Sequence, residues 1–196
     1  MTVYNTGRRL TDEQKTVAGY WADGPGATGT PPGHWIWITG LMIDKNKLSL
    51  GPASEAYALT SVSIADAFII CWREKFHSTL LRPVTYIRAL IDPNWQTLIG
   101  TPPFPTYFSG HSSGSGAASA VLTDLFGETQ FTDTTHVVRG IAARSFPSFA
   151  AAAEEAAVSR LYGGIHFPMD NEAGLTAGRC VAKVVKQRVH TRPMTP

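Results

Sequence analysis

Along most of the chain, apolar and polar positions alternate with a helical period. In "LTDEQKTVAGYWAD" (10–23), Thr11 stands as an N-cap with Gln14 at the third helical position, and the apolar residues after it recur at helical spacing. That pattern predicts a short amphipathic helix. The stretch "GPGATGTPPG" (24–33) is loop by composition, and a second helix is expected within "HWIWITGLMI" (34–43). From Pro52 to about Leu81 the chain is long, mostly apolar and free of further Gly and Pro, which predicts the central helix. Pro83 bounds it, because the residue before a proline is pushed out of the α region. A short helix at 83–91 and a loop through 108 follow, then helices at 110–126, 148–162 and 170–189. Strand signals are weak and scattered, so the expected fold class is all-α, a helical bundle. One domain is expected, with N-terminal helices and loop over 1–50 and the bundle over 51–190.

Composition narrows the function classes. The 196 residues are 43% hydrophobic and 16% charged, enough for one core without staples. A net charge of +2 gives no field of the kind that gathers nucleic acid or anionic lipid, so no nucleic-acid partner is expected. Cys71 and Cys180 lack CxxC spacing, which leaves zinc and redox motifs unsupported. The run "SVSIADAFIICW" (61–72) carries Asp66 and is short for a bilayer, so no membrane span is expected, and with no basic stretch and apolar run at the start a secretory signal is expected to be either absent or already removed.

Anion-binding side chains concentrate in three segments. In "KFHSTLLRP", Lys75 and Arg82 are seven residues apart, which on a continuous helix is two turns, nearly one face, and about 10 Å along the axis. A pair of solvated surface charges is the plain alternative. In "PPFPTYFSGHSSGSG" (102–116) the prolines end one element and Ser109, Gly110 and His111 open another. A helix start presents unpaired N–H groups and the positive end of the macrodipole, a natural oxyanion cradle with His111 at its edge. A flexible linker is the alternative, and the apolar "AVLTDLF" that follows argues against it. In "SRLYGGIHFPMD", Arg160 and His166 could not share a face of one helix, but Gly163-Gly164 turns the chain back so that both can reach one place. Asp170 follows four residues later, suited to accept the imidazole's other N–H. A lone histidine beside a Gly-Gly turn is otherwise more often structural.

Read together as K-x6-R-P, S-G-H and S-R-x5-H-x3-D, the segments resemble the signature of the superfamily that joins vanadium-dependent haloperoxidases to type-2 phosphatidic acid phosphatases and bacterial class A acid phosphatases. The resemblance covers about residues 70–188. It implies that Lys75, Arg82 and Arg160, with Ser109 and the Gly110 N–H, hold the oxygens of vanadate, phosphate or another oxyanion. It also implies that His166 bonds the vanadium or attacks phosphorus, and that His111 is the acid–base. Lys75 is then the candidate to polarise peroxide. Where the family usually has Pro before Ser-Gly-His, this chain has Phe108. Trp72 and Phe104 match aromatic pocket walls of the chloroperoxidases, although simple core packing explains them equally. The leading expectation is halide oxidation by hydrogen peroxide to hypohalous acid at a His-bound vanadate, with the organic acceptor open. A phosphomonoesterase working through a phosphohistidine is the second reading, and a truncated, inactive oxyanion binder the third. Relatives of this kind are often exported, which implies a periplasmic or secreted setting. A missing helical half would leave apolar surface and favour a homo-oligomer. Of the other histidines, His34, His136 and His190 have no assigned role, and His77 is a minor pocket candidate.

Overall fold

The computed structural model describes residues 1–189 and 191. The helices are α1 (Thr2–Gly7), α2 (Asp12–Tyr20), α3 (Thr30–Lys45), α4 (Leu50–Ser78), α5 (Pro83–Leu90), α6 (Gly110–Phe126), α7 (Phe149–Tyr162) and α8 (Pro168–Arg188). Between α6 and α7, β1 (Phe131–Asp133) and β2 (Arg144–Phe146) form a small antiparallel ladder, with Phe131 opposite Phe146. The all-α expectation holds, with this ladder as its one addition among the described residues.

Helix α6 is the axis of the bundle, packed by α4, α7 and α8. Its first half, "GHSSGSGAAS", is almost entirely buried, and only small side chains let three neighbours approach it together. The fit with α8 is closest: a Cβ placed at Gly178 would lie 2.0 Å from the Ser113 carbonyl oxygen, and one at Gly116 2.5 Å from that of Leu175. The larger apolar core lies on the other side of α6, where Trp21, Trp35, Ile38 and Met42 meet Leu122, Phe131, Phe146, Phe149 and the alanines of α7.

Several boundaries differ from the sequence reading. Helix α1 was not expected; its Val3 packs with Ile87 and Trp95. Helix α3 begins at Thr30, inside the stretch read as loop, because Pro31 and Pro32 fall in its first turn, where no N–H partner is needed. The capping box of Thr11 and Gln14 is formed as expected. Helix α4 stops at Ser78, three residues short of Leu81, with Thr79 left-handed at φ 50°. Pro83 opens α5, as the reading of a helix from residue 83 expects.

The apolar run on α4 is longer than 61–72 suggests. Among the described residues, one stretch, Leu50–Leu90, is long and apolar enough by length and composition to cross a membrane, and 39% of its apolar window is buried in the bundle.

Candidate functional site

The three anion-binding segments meet, although not by the route their spacing suggests. Lys75 sits in the last turn of α4, whereas Arg82 is the extended residue that caps α5, so the two do not share a helix face. They converge on one loop. The Lys75 ammonium donates to the carbonyls of Pro105 (3.0 Å) and Thr106 (2.8 Å). Arg82 Nε donates to the Phe104 carbonyl at 2.8 Å. Both cations stand over the Phe104 ring, at 5.4 and 5.0 Å from its centroid.

Arg82 also reaches the third segment. Its Nη1 donates to the Ile165 carbonyl at 2.9 Å and lies 3.1 Å from His166 Nε2. An arginine only donates, so His166 Nε2 accepts and the ring proton stays on Nδ1. On that side Nδ1 faces Asp170 Oδ2 at 2.9 Å and Thr106 Oγ1 at 3.1 Å. Burial, aided by the Arg82 and Lys75 charges and opposed by Asp170, pushes the His166 pKa down to about 3. Its imidazole is neutral at any ordinary pH, with a lone pair on Nε2. The Gly163-Gly164 turn does what the sequence reading asked of it: Gly164 takes φ +79° and the Ile165 N–H closes on the Arg160 carbonyl.

At the head of α6, the Ser109 hydroxyl accepts from the Ser112 N–H at 3.2 Å, and the Ser109 N–H is tied to the Asp170 carbonyl at 3.0 Å. Gly110 lies under Trp72, where a Cβ would meet the indole at 3.3 Å. Phe108 leaves this arrangement in place: it is buried, and its carbonyl accepts from the Cys71 thiol. Burial and the nearby Arg160 push His111 well below the usual histidine range. Arg160 is itself buried, its Nε on the Ser159 hydroxyl (2.9 Å) and an Nη on the Ala18 carbonyl (3.3 Å).

These groups border one cavity of about 800 Å³. Arg82, Phe104, Gly110, His111, Arg160 and His166 line it, with Trp72 and Phe68 on one wall and Asp23 on another. Lys75, Ser109 and Asp170 stand behind this lining. Two of the buried polar atoms without a partner are Arg82 Nη2 and His111 Nε2, both from lining residues. A cavity lined by two guanidinium groups, with an unpartnered His111 Nε2, an unused Arg82 donor and a helix start, suits a compact, multiply charged oxyanion.

Some placements depart from the sequence reading. His77 is exposed on α4 and does not line the cavity. His190 lies outside the described residues. Thr106 was missed: its hydroxyl bridges Asp170 and His166 while its carbonyl holds Lys75. His34 and His136, given no role, are buried with Asp23 and Asp133. No motif marks that cluster, because its members come from the loop before α3, from α3, from β1 and from the turn that follows β1.

Comparison with known proteins bears on the family and the fold. The family profile described as the VCPO second helical-bundle domain matches residues 55–193. The vanadium chloroperoxidase of Curvularia inaequalis is 30% identical over 123 residues, a match taking in 50% of this chain and 20% of that protein. A solved bacterial vanadium-dependent iodoperoxidase superposes with a TM-score of 0.92 at 42% identity, covering 96% of this chain and 48% of that one. A bacterial vanadium-dependent chloroperoxidase superposes at 0.79 with 19% identity, a likeness of fold, covering 95% and 46%. The chain thus spans half or less of the length of these relatives. With the profile matched over most of its residues, the chain belongs to the family of vanadium chloroperoxidase-type second helical-bundle domains.

Proposed function

We propose that the cavity is a vanadate site and that this bundle serves the oxidation of halide by hydrogen peroxide. The observation that carries the reading is the pairing of a neutral His166, whose Nε2 accepts from Arg82 Nη1, with an Arg82 Nη2 that has no partner, both residues lining the cavity. Vanadate, when bound, supplies a Lewis-acidic centre at which hydrogen peroxide becomes able to pass an oxygen atom to halide. Once Arg82 Nη1 turns from His166 to the bound oxygens, His166 would hold the group through Nε2, with Asp170 and Thr106 fixing the proton on Nδ1. Arg82 and Arg160 would meet its oxygens directly, and Gly110 and His111 offer the N–H groups of the first turn of α6. Lys75 acts from behind the Phe104–Thr106 loop, two of its three donors already used on carbonyls, and burial lowers its pKa to about 8. His111, neutral and with a free Nε2, is the group able to take and return a proton. Trp72 and Phe104, 5.2 Å apart between ring centroids, keep that side of the cavity apolar, which favours a weakly hydrated halide over a bulky organic phosphate.

The test measures orthovanadate binding by calorimetry, then iodide and bromide oxidation with hydrogen peroxide, beside hydrolysis of p-nitrophenyl phosphate. Iodide is assayed first because the 42% identical neighbour is an iodoperoxidase. The expected result is vanadate-dependent halide oxidation, lost in His166→Ala together with vanadate binding. Phosphate-ester hydrolysis without halide oxidation, or peroxidase activity indifferent to vanadate, would replace this reading with another.

A further inference from the structure

Behind the N-terminal wall of the same cavity lies a group of buried ionisable side chains that the motif segments do not include. His34, one turn into α3, sits between two carboxylates. Its Nδ1 is 2.9 Å from Asp23 Oδ2 and 3.1 Å from Oδ1, and its Nε2 is 2.7 Å from Asp133 Oδ2. Carboxylate oxygens at ordinary pH only accept, so both ring nitrogens must carry protons and the ring is an imidazolium. Burial opposes that charge; the hydrogen bonds the ring donates to Asp133 and Asp23 and the attraction of the two carboxylates outweigh it and hold the pKa up at about 9. The Trp21 indole stacks on the ring at 4.5 Å, and His136 meets it edge-on at 4.7 Å.

The far end of this chain is anchored. Asp133 Oδ2 accepts from the Tyr20 hydroxyl at 2.7 Å, and Oδ1 from the Thr135 N–H and hydroxyl. The near end faces the cavity. Asp23 lines it, is attracted to both His111 and Arg160, and yet is only 3% exposed. Its backbone is left-handed, φ 47°, an uncommon state for a residue other than glycine. His136 Nε2 donates to the Tyr20 carbonyl at 2.9 Å and lies 3.4 Å from Asp23 Oδ1.

A carboxylate turned into an oxyanion cavity would repel its ligand, since like charges a few ångströms apart inside a protein are less screened than in bulk water. We propose that His34 is a positioning residue of the oxyanion site: its imidazolium, anchored on Asp133, keeps the Asp23 carboxylate drawn back and compensated in the wall, so that His111 and Arg160 face the ligand. The inference rests on reading the cavity as an oxyanion site. It gives a function in that site to the part of the chain, residues 20–34, that carries none of the motif. A divalent cation is the competing use of the cluster, since ligand atoms of Asp23, His34 and His136 lie within 4.8 Å of one another. It is disfavoured because hydrogen bonds already satisfy these atoms and a metal would have to displace the His34 protons.

The test compares orthovanadate dissociation constants of the 196-residue chain, His34→Gln and the double variant His34→Gln/Asp23→Asn, each confirmed folded by circular dichroism. His34→Gln should bind at least about tenfold more weakly, and the double variant should recover to within about threefold of wild type, because the uncompensated carboxylate is gone. A merely structural histidine would not be rescued by removing Asp23. An unchanged constant in His34→Gln, or a double variant as weak as the single, overturns the proposal. Independently of any variant's folding, nitrogen-15 spectra of the wild-type histidines at pH 7.5 should show His34 with both ring N–H protons. A neutral His34, or a stoichiometric divalent metal by elemental analysis, also overturns it. Absence of vanadate binding by the wild type would instead end the oxyanion reading on which the inference stands.

Discussion

Thr106 has no side-chain charge, yet its hydroxyl donates to Asp170 Oδ2 (2.5 Å) and lies 3.1 Å from His166 Nδ1, while its carbonyl accepts from Lys75 at 2.8 Å. Because its only hydroxyl proton goes to Asp170, it meets His166 as an acceptor, and the two together fix the ring proton on Nδ1. Thr106→Val keeps the shape and removes the hydroxyl. It should weaken orthovanadate binding about tenfold, roughly 1.4 kcal/mol, measured by calorimetry, and mix the His166 tautomers in nitrogen-15 spectra; Thr106→Ser should stay within about threefold of wild type. Equal affinities for all three proteins would remove Thr106 from the site. The charged members of the site were legible in the sequence because few other roles place Lys75, Arg82, Arg160, His111 and His166 at those intervals. Thr106 was not, since a threonine in "FPTYF" reads as an ordinary turn residue. Asp23 and Asp133 were hidden for another reason: they are 110 positions apart, and only the fold brings both to His34.

At the scale of elements, helix existence was legible in the period of apolar residues and helix ends were less so. Nothing in "FHSTLLRP" announces that Thr79 turns left-handed, so the spacing argument for Lys75 and Arg82 reached the right place through a helix that ends before Arg82. The loop 104–106 is what unites them. The contact between α6 and α8 sets the position of the oxyanion cradle against His166 and Asp170, and it depends on missing side chains. Gly178→Ala would drive a Cβ into the Ser113 carbonyl and the Ala117 nitrogen, both backbone, so the helices must separate. The expected cost is about 3 kcal/mol, or roughly 8 °C in Tm, by thermal unfolding, whereas Gly33→Ala in α3, with nothing near its Cβ, should be neutral or stabilising. A Gly178→Ala protein as stable as wild type would mean that the two helices are not so closely set. The tie between α3 and β1 gives a pH signature. Because folding raises the His34 pKa from 6.5 to about 9, its contribution is fully present below pH 6.5 and is lost as pH rises through 9. Urea unfolding of wild type and His34→Gln should therefore differ most near pH 6 and converge by pH 10; a difference that grows with pH would contradict a charged His34.

The whole molecule carries a surface that its own bundle does not cover. Helix α4 buries Ala56, Leu59, Thr60, Ser63, Ile64, Ala67, Cys71 and Lys75 against its neighbours, a continuous inner face. On its outer side Val62, Ile69 and Phe76 are spaced by seven, two turns each, and so form one stripe, with Ile69 66% and Phe76 62% exposed. Leu81 and Leu90 extend apolar exposure into the next segment, at 62% and 68%. A chain with a net charge of only +2 has little long-range repulsion to keep such surfaces apart. Exposed apolar side chains aligned on one face of a helix favour association with another surface. The 196-residue chain on its own should therefore self-associate at micromolar concentration, seen by size-exclusion chromatography with light scattering. Ile69→Lys/Phe76→Lys, which alters only the exposed stripe, should shift it toward monomer without lowering Tm by more than a few degrees. The same variant should leave orthovanadate affinity unchanged, because the stripe faces away from the buried Cys71 and Lys75 side of the helix. A wild-type chain that runs as a monomer at tens of micromolar would mean that this face stays solvated, and loss of vanadate binding in the double variant would mean that the outer face of α4 supports the cavity after all.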